Sequence, residues 1–185
     1  MAVIIPATLA LAEGARGFYF ASYMGLKIPE SAVASSMHFS NGAERNFAGA
    51  LGFRISRHWR MEAEASYRKD EIAQTPLADH VKSFAGLVNV YYDFDAPGKL
   101  KPFIGGGAGY ISKLSEDSSG GDKLVWQLGG GVNYALSPAL SFNGAYRYVD
   151  EGMDAASDGY GGHELHIGVT YALPFKPAPK PRQNQ

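Results

Sequence analysis

Between residues 163 and 175 the sequence HELHIGVTYALPF alternates with a period of two. Leu165, Ile167, Val169, Tyr171, Leu173 and Phe175 fall on one side, with Glu164, His166, Gly168, Thr170 and Ala172 on the other. Side chains along a strand point to opposite faces in turn, so this segment reads as a strand with a large apolar face and a small or polar one. The chain then enters KPAPKPRQNQ, whose prolines lack the N–H that a sheet ladder needs. One such strand constrains little. Its repetition along the whole chain constrains a great deal.

Seven further segments of strand character precede it, at about 16–28, 45–56, 58–69, 82–94, 100–113, 122–136 and 139–150. In the third, Trp59, Met61, Ala63, Ala65 and Tyr67 alternate with Arg60, Glu62, Glu64, Ser66 and Arg68. In the sixth, Leu124, Trp126, Leu128, Val132 and Tyr134 alternate with Gln127, Gly129, Gly131 and Asn133. The second, fourth and seventh follow suit, whereas the first and fifth leave their parity open, because bulky side chains fall on both faces. No segment carries a capped 3.6-residue pattern, so no core helix is expected. The connections at 56–58, 95–99 and 137–138 are short, and those at 29–44, 70–81, 114–121 and 151–162 are long. Long and short alternate, as they do in an up-and-down antiparallel barrel with tight turns at one rim and long loops at the other.

Composition narrows the alternatives. The chain has 185 residues, enough for one domain. Its formal charge of −1 supplies no basic excess with which to neutralise phosphates, so no nucleic-acid partner is expected. Cysteine is absent, which excludes thiolate metal sites, disulfides and cysteine nucleophiles. The chain carries 11 Tyr and 10 Phe yet has no long apolar run, so its hydrophobicity lies in alternation. A transmembrane helix needs about 20 apolar residues, but a membrane-spanning strand needs only about ten alternating ones.

Alternation alone permits two barrels. A soluble lipocalin-like barrel turns the apolar face inward around a greasy ligand, whereas a membrane barrel turns it outward to lipid. Two features favour the second. The polar face carries Arg54, Arg60, Glu62, Glu64, Arg68, Arg147 and Glu164, with both signs nearly balanced as a closed interior network requires. Aromatic residues also gather at strand ends, Trp59, Phe94, Phe103, Tyr134 and Phe175 beside the short turns and Tyr67, Phe84, Trp126 and Tyr148 toward the long loops. Two such belts match two membrane interfaces.

On KPFIGGGAGY (101–110), WQLGGGVNYALSPALSFNGAYRYVD (126–150) and the final GVTYALPF (168–175), the chain resembles the small outer-membrane barrels of the OmpA, OmpX and opacity-protein type. The resemblance covers about residues 17–175. It implies an all-β fold, an eight-stranded antiparallel up-and-down transmembrane β-barrel in a Gram-negative outer membrane, with both ends periplasmic. It further implies contact with outer-membrane lipid and lipopolysaccharide, and a monomer. The implied role is structural or interactive, with host or cell-surface ligands met through the loops. In this family an alternating last strand ending in Phe resembles the signal read by the barrel-assembly machinery, which Tyr171, Leu173 and Phe175 match, although here the chain continues past Phe175. Residues 1–12, apolar and ending in Ala10-Leu11-Ala12, resemble part of an export signal. The expected organisation is therefore a signal-like 1–12, a barrel over 13–175 and a Pro-rich periplasmic tail over 176–185.

No motif announces chemistry. The runs Gly105-Gly106-Gly107 and Gly129-Gly130-Gly131 lack the Lys-Ser or Lys-Thr and following helix of a phosphate loop. Within strands they are expected to leave room in a narrow barrel for neighbouring Arg and Tyr. His163 and His166 are three apart and so point to opposite strand faces, which disfavours a metal site. His38, His58 and His80 lack evident partners. His38-Phe39-Ser40 and the pair Ser141 and His166 each lack the third member of a nucleophilic triad. No enzyme activity, cofactor or metal is expected. The charged inward set is read as a plug that fills the lumen, and the rival reading is a narrow porin-like channel lined by the same groups.

Overall fold

A computed structural model describes residues 17–28, 45–70, 81–114, 122–151 and 160–173. These form eight strands: β1 (Gly17–Ile28), β2 (Arg45–Arg54), β3 (Trp59–Asp70), β4 (Val81–Asp93), β5 (Leu100–Leu114), β6 (Lys123–Ala135), β7 (Leu140–Glu151) and β8 (Tyr160–Ala172). Each pairs antiparallel with its sequence neighbours, and β1 pairs with β8 from Tyr19↔Ala172 to Ile28↔His163, which closes the barrel. Closure leaves no open strand edge. No helix occurs among the described residues.

The strand limits agree with the sequence reading to within one residue, except for β2 and β8. β2 stops at Arg54, two residues short of the expected end, because Ile55 and Ser56 already belong to the turn. β8 begins at Tyr160, three residues early, and ends at Ala172. Gly161 and Gly162 read as loop residues by composition. In the fold their backbones pair with Asp150 and Val149, and a ladder asks only for peptide groups. At the far end Leu173 N–H donates to the Phe18 carbonyl at 2.9 Å, and Pro174 follows. Phe175, the tail, residues 1–12, His38, Ser40 and His80 lie outside the described residues.

Two short turns share one construction. Ile55 and Ser56 both donate to the Trp59 carbonyl, and Leu136 and Ser137 both donate to the Leu140 carbonyl. In each turn the serine hydroxyl accepts from the two following free amides, Ser56 from His58 and Trp59, Ser137 from Ala139 and Leu140. The serine thus satisfies donors that the reversal strips from the ladder. The third short turn contains Gly98 at φ +86°, a left-handed conformation that glycine adopts without a Cβ clash.

Every strand turns a row of large apolar residues outward. Phe18, Phe20, Phe47, Phe84, Ile104, Leu128, Phe142 and Ile167 are all about half exposed. The parity left open in β1 and β5 is now fixed, since Tyr19, Ala21, Phe103 and Ile111 face the lumen. Phe103 therefore corrects the sequence reading. It is 6% exposed and belongs to no belt; Ile104 takes the outward place beside it.

Inward glycines sit opposite the largest inward side chains. Registered pairs are Gly52 with Tyr19, Gly105 with Tyr91, Gly107 with Asn89, Gly129 with Arg147 and Gly168 with Tyr23. A Cβ added at Gly52 would lie 2.1 Å from the Tyr19 ring, and one at Gly105 would lie 2.3 Å from the Tyr91 ring. Outward Gly49, Gly86 and Gly144 meet nothing within 4 Å. We expect Gly49→Leu and Gly86→Leu to fold, and Gly107→Leu, whose Cβ would also lie 2.4 Å from the Val88 carbonyl oxygen, to yield little folded protein. The heat-dependent mobility of each variant on electrophoresis, a property of folded barrels, distinguishes these outcomes.

Candidate functional site: the barrel lumen

Two arginines organise the lumen, one toward each rim. On β3, Arg60 is the hub near the short turns. Its Nε donates to Asp93 Oδ1 at 3.1 Å, and its Nη1 donates to Glu62 Oε1 at 2.6 Å and to the Tyr19 hydroxyl at 3.2 Å. Its guanidinium lies 4.1 Å from the Tyr91 ring centroid and 4.8 Å from that of Phe103, two cation–π contacts to rings that pack edge-on against each other. Glu62 in turn accepts from Tyr19 at 2.7 Å and from Tyr23 at 3.0 Å. At the mouth Arg54 Nη1 reaches Asp93 Oδ2 at 3.3 Å.

The second hub is Arg147 on β7. Its Nε donates to Glu164 Oε2 at 2.8 Å and its Nη1 to Glu64 Oε1 at 2.9 Å, which joins β7 to β8 and, across the lumen, to β3. Asn46 Nδ2 and His166 Nε2 also contact Glu164 Oε2, at 3.0 and 2.8 Å. Glu64 Oε2 accepts from Asn89 at 2.8 Å, and Gln127 donates to Asn89 Oδ1 at 2.6 Å. Glu62, Glu64, Arg60, Glu164 and Arg147 are all below 10% exposed. Charges so desolvated persist only when paired and hydrogen-bonded, and these are.

The interior is not polar throughout. Toward the long loops, Ala85, Leu87, Ile111, Val125 and Val149 form a buried apolar cluster on β4 to β7. Sequence reasoning treated the inward face as polar and missed this cluster. Ile111 lies on a strand of open parity, and Val125 is flanked by the larger Leu124 and Trp126.

Six of the seven charged residues singled out in sequence face the lumen: Arg54, Arg60, Glu62, Glu64, Arg147 and Glu164. The Arg68 side chain lies outside the described residues. The partners that complete the network, Tyr19, Tyr23, Tyr91, Asp93, Asn46 and His166, were not assigned to it. A usable signal exists in β1, where hydroxylated Tyr19 and Tyr23 share one parity and Phe18 and Phe20 the other.

Outside, the two ends carry aromatic clusters. Trp59, Phe94 and Tyr134 are exposed near the short turns, with Tyr92 packed edge-on against Trp59 at 5.0 Å and against Phe94 at 5.1 Å. Near the long loops Tyr67 is exposed, and half-buried Trp126 contacts Tyr148 at 5.7 Å. Tyr171 is exposed on the outer face, and Leu173 is half-buried.

The histidines do not form a site. His163 faces outward, stacked on Tyr146 and hydrogen-bonded to its hydroxyl, while Glu164 and His166 face inward. His166 is registered with Ala145 and Ser141 with Thr170, so that pair is kept apart. His58, for which no partner was evident, stacks on Tyr92 and reaches Asp95 at 3.0 Å. Asp95 also meets Arg57 at 2.8 Å, a clip between two adjacent turns. The His58 hydrogen bond, aided by Arg57, holds the Asp95 carboxyl below its usual range. Among the described residues no cluster of His, Asp and Glu could hold a metal ion.

The sequence profile of the outer membrane protein beta-barrel domain matches residues 1–172. A relative from Gluconacetobacter diazotrophicus, named "Outer membrane protein", is 30% identical over 154 residues, and the match covers 68% of this chain but only 39% of the relative. This chain thus spans well under half the length of that curated relative. Among solved structures, Neisserial surface protein A is similar with a TM-score of 0.65 at 20% identity, over 86% of this chain and 99% of that one. OprG of Pseudomonas aeruginosa gives 0.58 at 14% identity, over 87% and 97%. The barrel domain of OprF from the same organism gives 0.56 at 15%, over 86% and 99%. At these identities the structures speak to the fold alone, which is that of a small outer-membrane barrel. With closed eight-stranded topology, an apolar exterior and a paired polar interior in place, the chain belongs to the outer membrane protein β-barrel family.

Proposed function

We propose that this outer-membrane barrel serves as a closed, membrane-embedded scaffold, acting in envelope integrity or through contacts made by its long loops, and not as a channel. The observation that carries this reading is the double pairing of Arg60 with Glu62 and Asp93, and of Arg147 with Glu64 and Glu164. Arg147 bridges β7 to β3 across the space a permeating ion would need, and Arg60 ties β3 to β4 and, through the Tyr19 hydroxyl, to β1. Moving either one means breaking two buried ion pairs at once. The apolar cluster of Leu87, Ile111, Val125 and Val149 adds a second barrier, since an ion would shed its water to pass it.

In this reading the outer aromatic rings engage lipid and lipopolysaccharide headgroups, the sequence segment carrying Tyr171, Leu173 and Phe175 is read by the barrel-assembly machinery, and the monomer is the working unit. The loops supply the contact with a host or cell-surface ligand. Function then resides in the loops, and the barrel holds them at fixed spacing.

The test is conductance in planar bilayers. Purified wild-type protein is expected to give no steady ohmic steps, and Arg147→Ala is expected to raise leak by loosening the upper hub. Steady conductance from the wild type would hand the function to the channel reading. The same hubs set stability. Glu62→Ala strips Arg60, Tyr19 and Tyr23 of a shared acceptor, and a loss of about 3–5 kcal/mol is expected in urea-driven unfolding. Arg57→Ala, which breaks an exposed turn pair, should cost less than about 1 kcal/mol in the same measurement.

A further inference from the structure

On the outer face of β2, β3 and β4 the register aligns like residues in rows. Phe47, Tyr67 and Phe84 are partners across the three strands, and all are exposed. Two residues nearer the long loops stand Arg45, Lys69 and Lys82, again partners in one row, flanked by Leu26 on β1 and Leu114 on β5. The side chains of these three cations lie outside the described residues, and their place on the outer face follows from register and the period of two. Two residues nearer the short turns stand Gly49, Ala65 and Gly86, with Leu51, Ala63 and Val88 beneath them. A Cβ added at Gly49 or Gly86 would meet nothing within 4 Å, so the face is shallow there.

Cations, then aromatic rings, then a shallow apolar strip match an anionic amphiphile layer by layer. Basic residues at the hydrocarbon boundary attract phosphate, aromatic rings settle at headgroup level, and the strip admits acyl chains. Among the described residues the opposite side of the barrel differs. There the outer face carries Asp122, which accepts from Ser112 at 2.5 Å, and Asp150, registered with Trp126 and reached by the Tyr148 hydroxyl at 3.4 Å. An anion is thus drawn to β2–β4 and repelled at β6–β7.

The width of the row narrows the ligand. Neighbouring strands lie about 4.8 Å apart, so Arg45 to Lys82 spans roughly 10 Å. That is broad for the single phosphate of a glycerophospholipid and suits a headgroup bearing two. We propose that the outer face of β2–β4 is a binding site for a phosphorylated, multiply acylated glycolipid of the lipopolysaccharide class, with Arg45, Lys69 and Lys82 as its phosphate row. The proposal rests on the reading above, in which the outer rings engage lipopolysaccharide headgroups, and assigns that contact to one side of the barrel.

The test is native mass spectrometry of the protein refolded in detergent micelles, titrated with bisphosphorylated lipid A or with phosphatidylglycerol. Wild type is expected to retain lipid A at least tenfold more tightly. Lys69→Gln/Lys82→Gln, checked for folding by heat-dependent mobility, should weaken lipid A retention at least fivefold. Gly86→Leu, which fills the strip without touching a charge, should also weaken it. Gly144→Leu, at an equally open outward position on β7, should not. Equal retention of the two lipids would overturn the proposal, as would unchanged retention in the folded lysine variant or equal loss in Gly86→Leu and Gly144→Leu. Should wild type retain no lipid A at all, the broader reading of lipopolysaccharide contact falls with it; retention that ignores the variants removes only this site.

Discussion

The fit of bulky inward side chains over inward glycines on the next strand, as of Tyr19 over Gly52 and Arg147 over Gly129, is the constraint on which the rest depends. An eight-stranded barrel has a lumen only wide enough to be filled by side chains. A lumen packed with Arg, Glu, Tyr and Asn overfills unless some positions carry no side chain. Here Gly52, Gly105, Gly107, Gly129 and Gly168 leave that space, and Tyr19, Tyr91, Asn89, Arg147 and Tyr23 occupy it. The charges can then approach to hydrogen-bond distance, and pairing offsets their desolvation. Without the glycines the ion pairs could not form; without the ion pairs the buried charges would oppose folding.

Outside, the requirement is reversed. With no water in the hydrocarbon region, every backbone group must be met within the barrel, and the side chains must be apolar. Closure by β1 and β8 meets the first condition, and half-exposed Phe20, Phe84, Ile104 and Ile167 meet the second. An arrangement with charge inside and aromatics outside would be inverted in water. It fits a lipid surround, which the family also indicates.

Much of this was legible in the sequence because the strand period is two and the inside–outside contrast is strong. β3 is the clearest case, since Arg60, Glu62 and Glu64 share one parity and Trp59, Met61 and Tyr67 the other. Legibility failed where both parities are bulky, as at Phe103 and Ile104, because either could point outward without breaking the pattern. It failed again at Gly161 and Gly162, where composition suggested a loop but the ladder needed only backbone. Cross-lumen pairing such as Arg147 with Glu64 was also out of reach. It depends on strands that are not neighbours, and no local period records it. The inward apolar cluster was missed for a related reason, since Ile111 and Val125 resemble outward residues in everything but phase.

The most direct measurement is a double-mutant cycle between Gly52 and Tyr19, because a Cβ at Gly52 would meet the Tyr19 ring before anything else. Unfolding free energies in urea would be compared for wild type, Gly52→Ala, Tyr19→Ala and the double variant. If space for the ring is what Gly52 provides, Gly52→Ala should cost about 1–3 kcal/mol alone. In the Tyr19→Ala background it should cost little or nothing, giving a coupling of similar size. Equal costs in both backgrounds would contradict the account, and the lumen would then have to be held open by something other than its glycines.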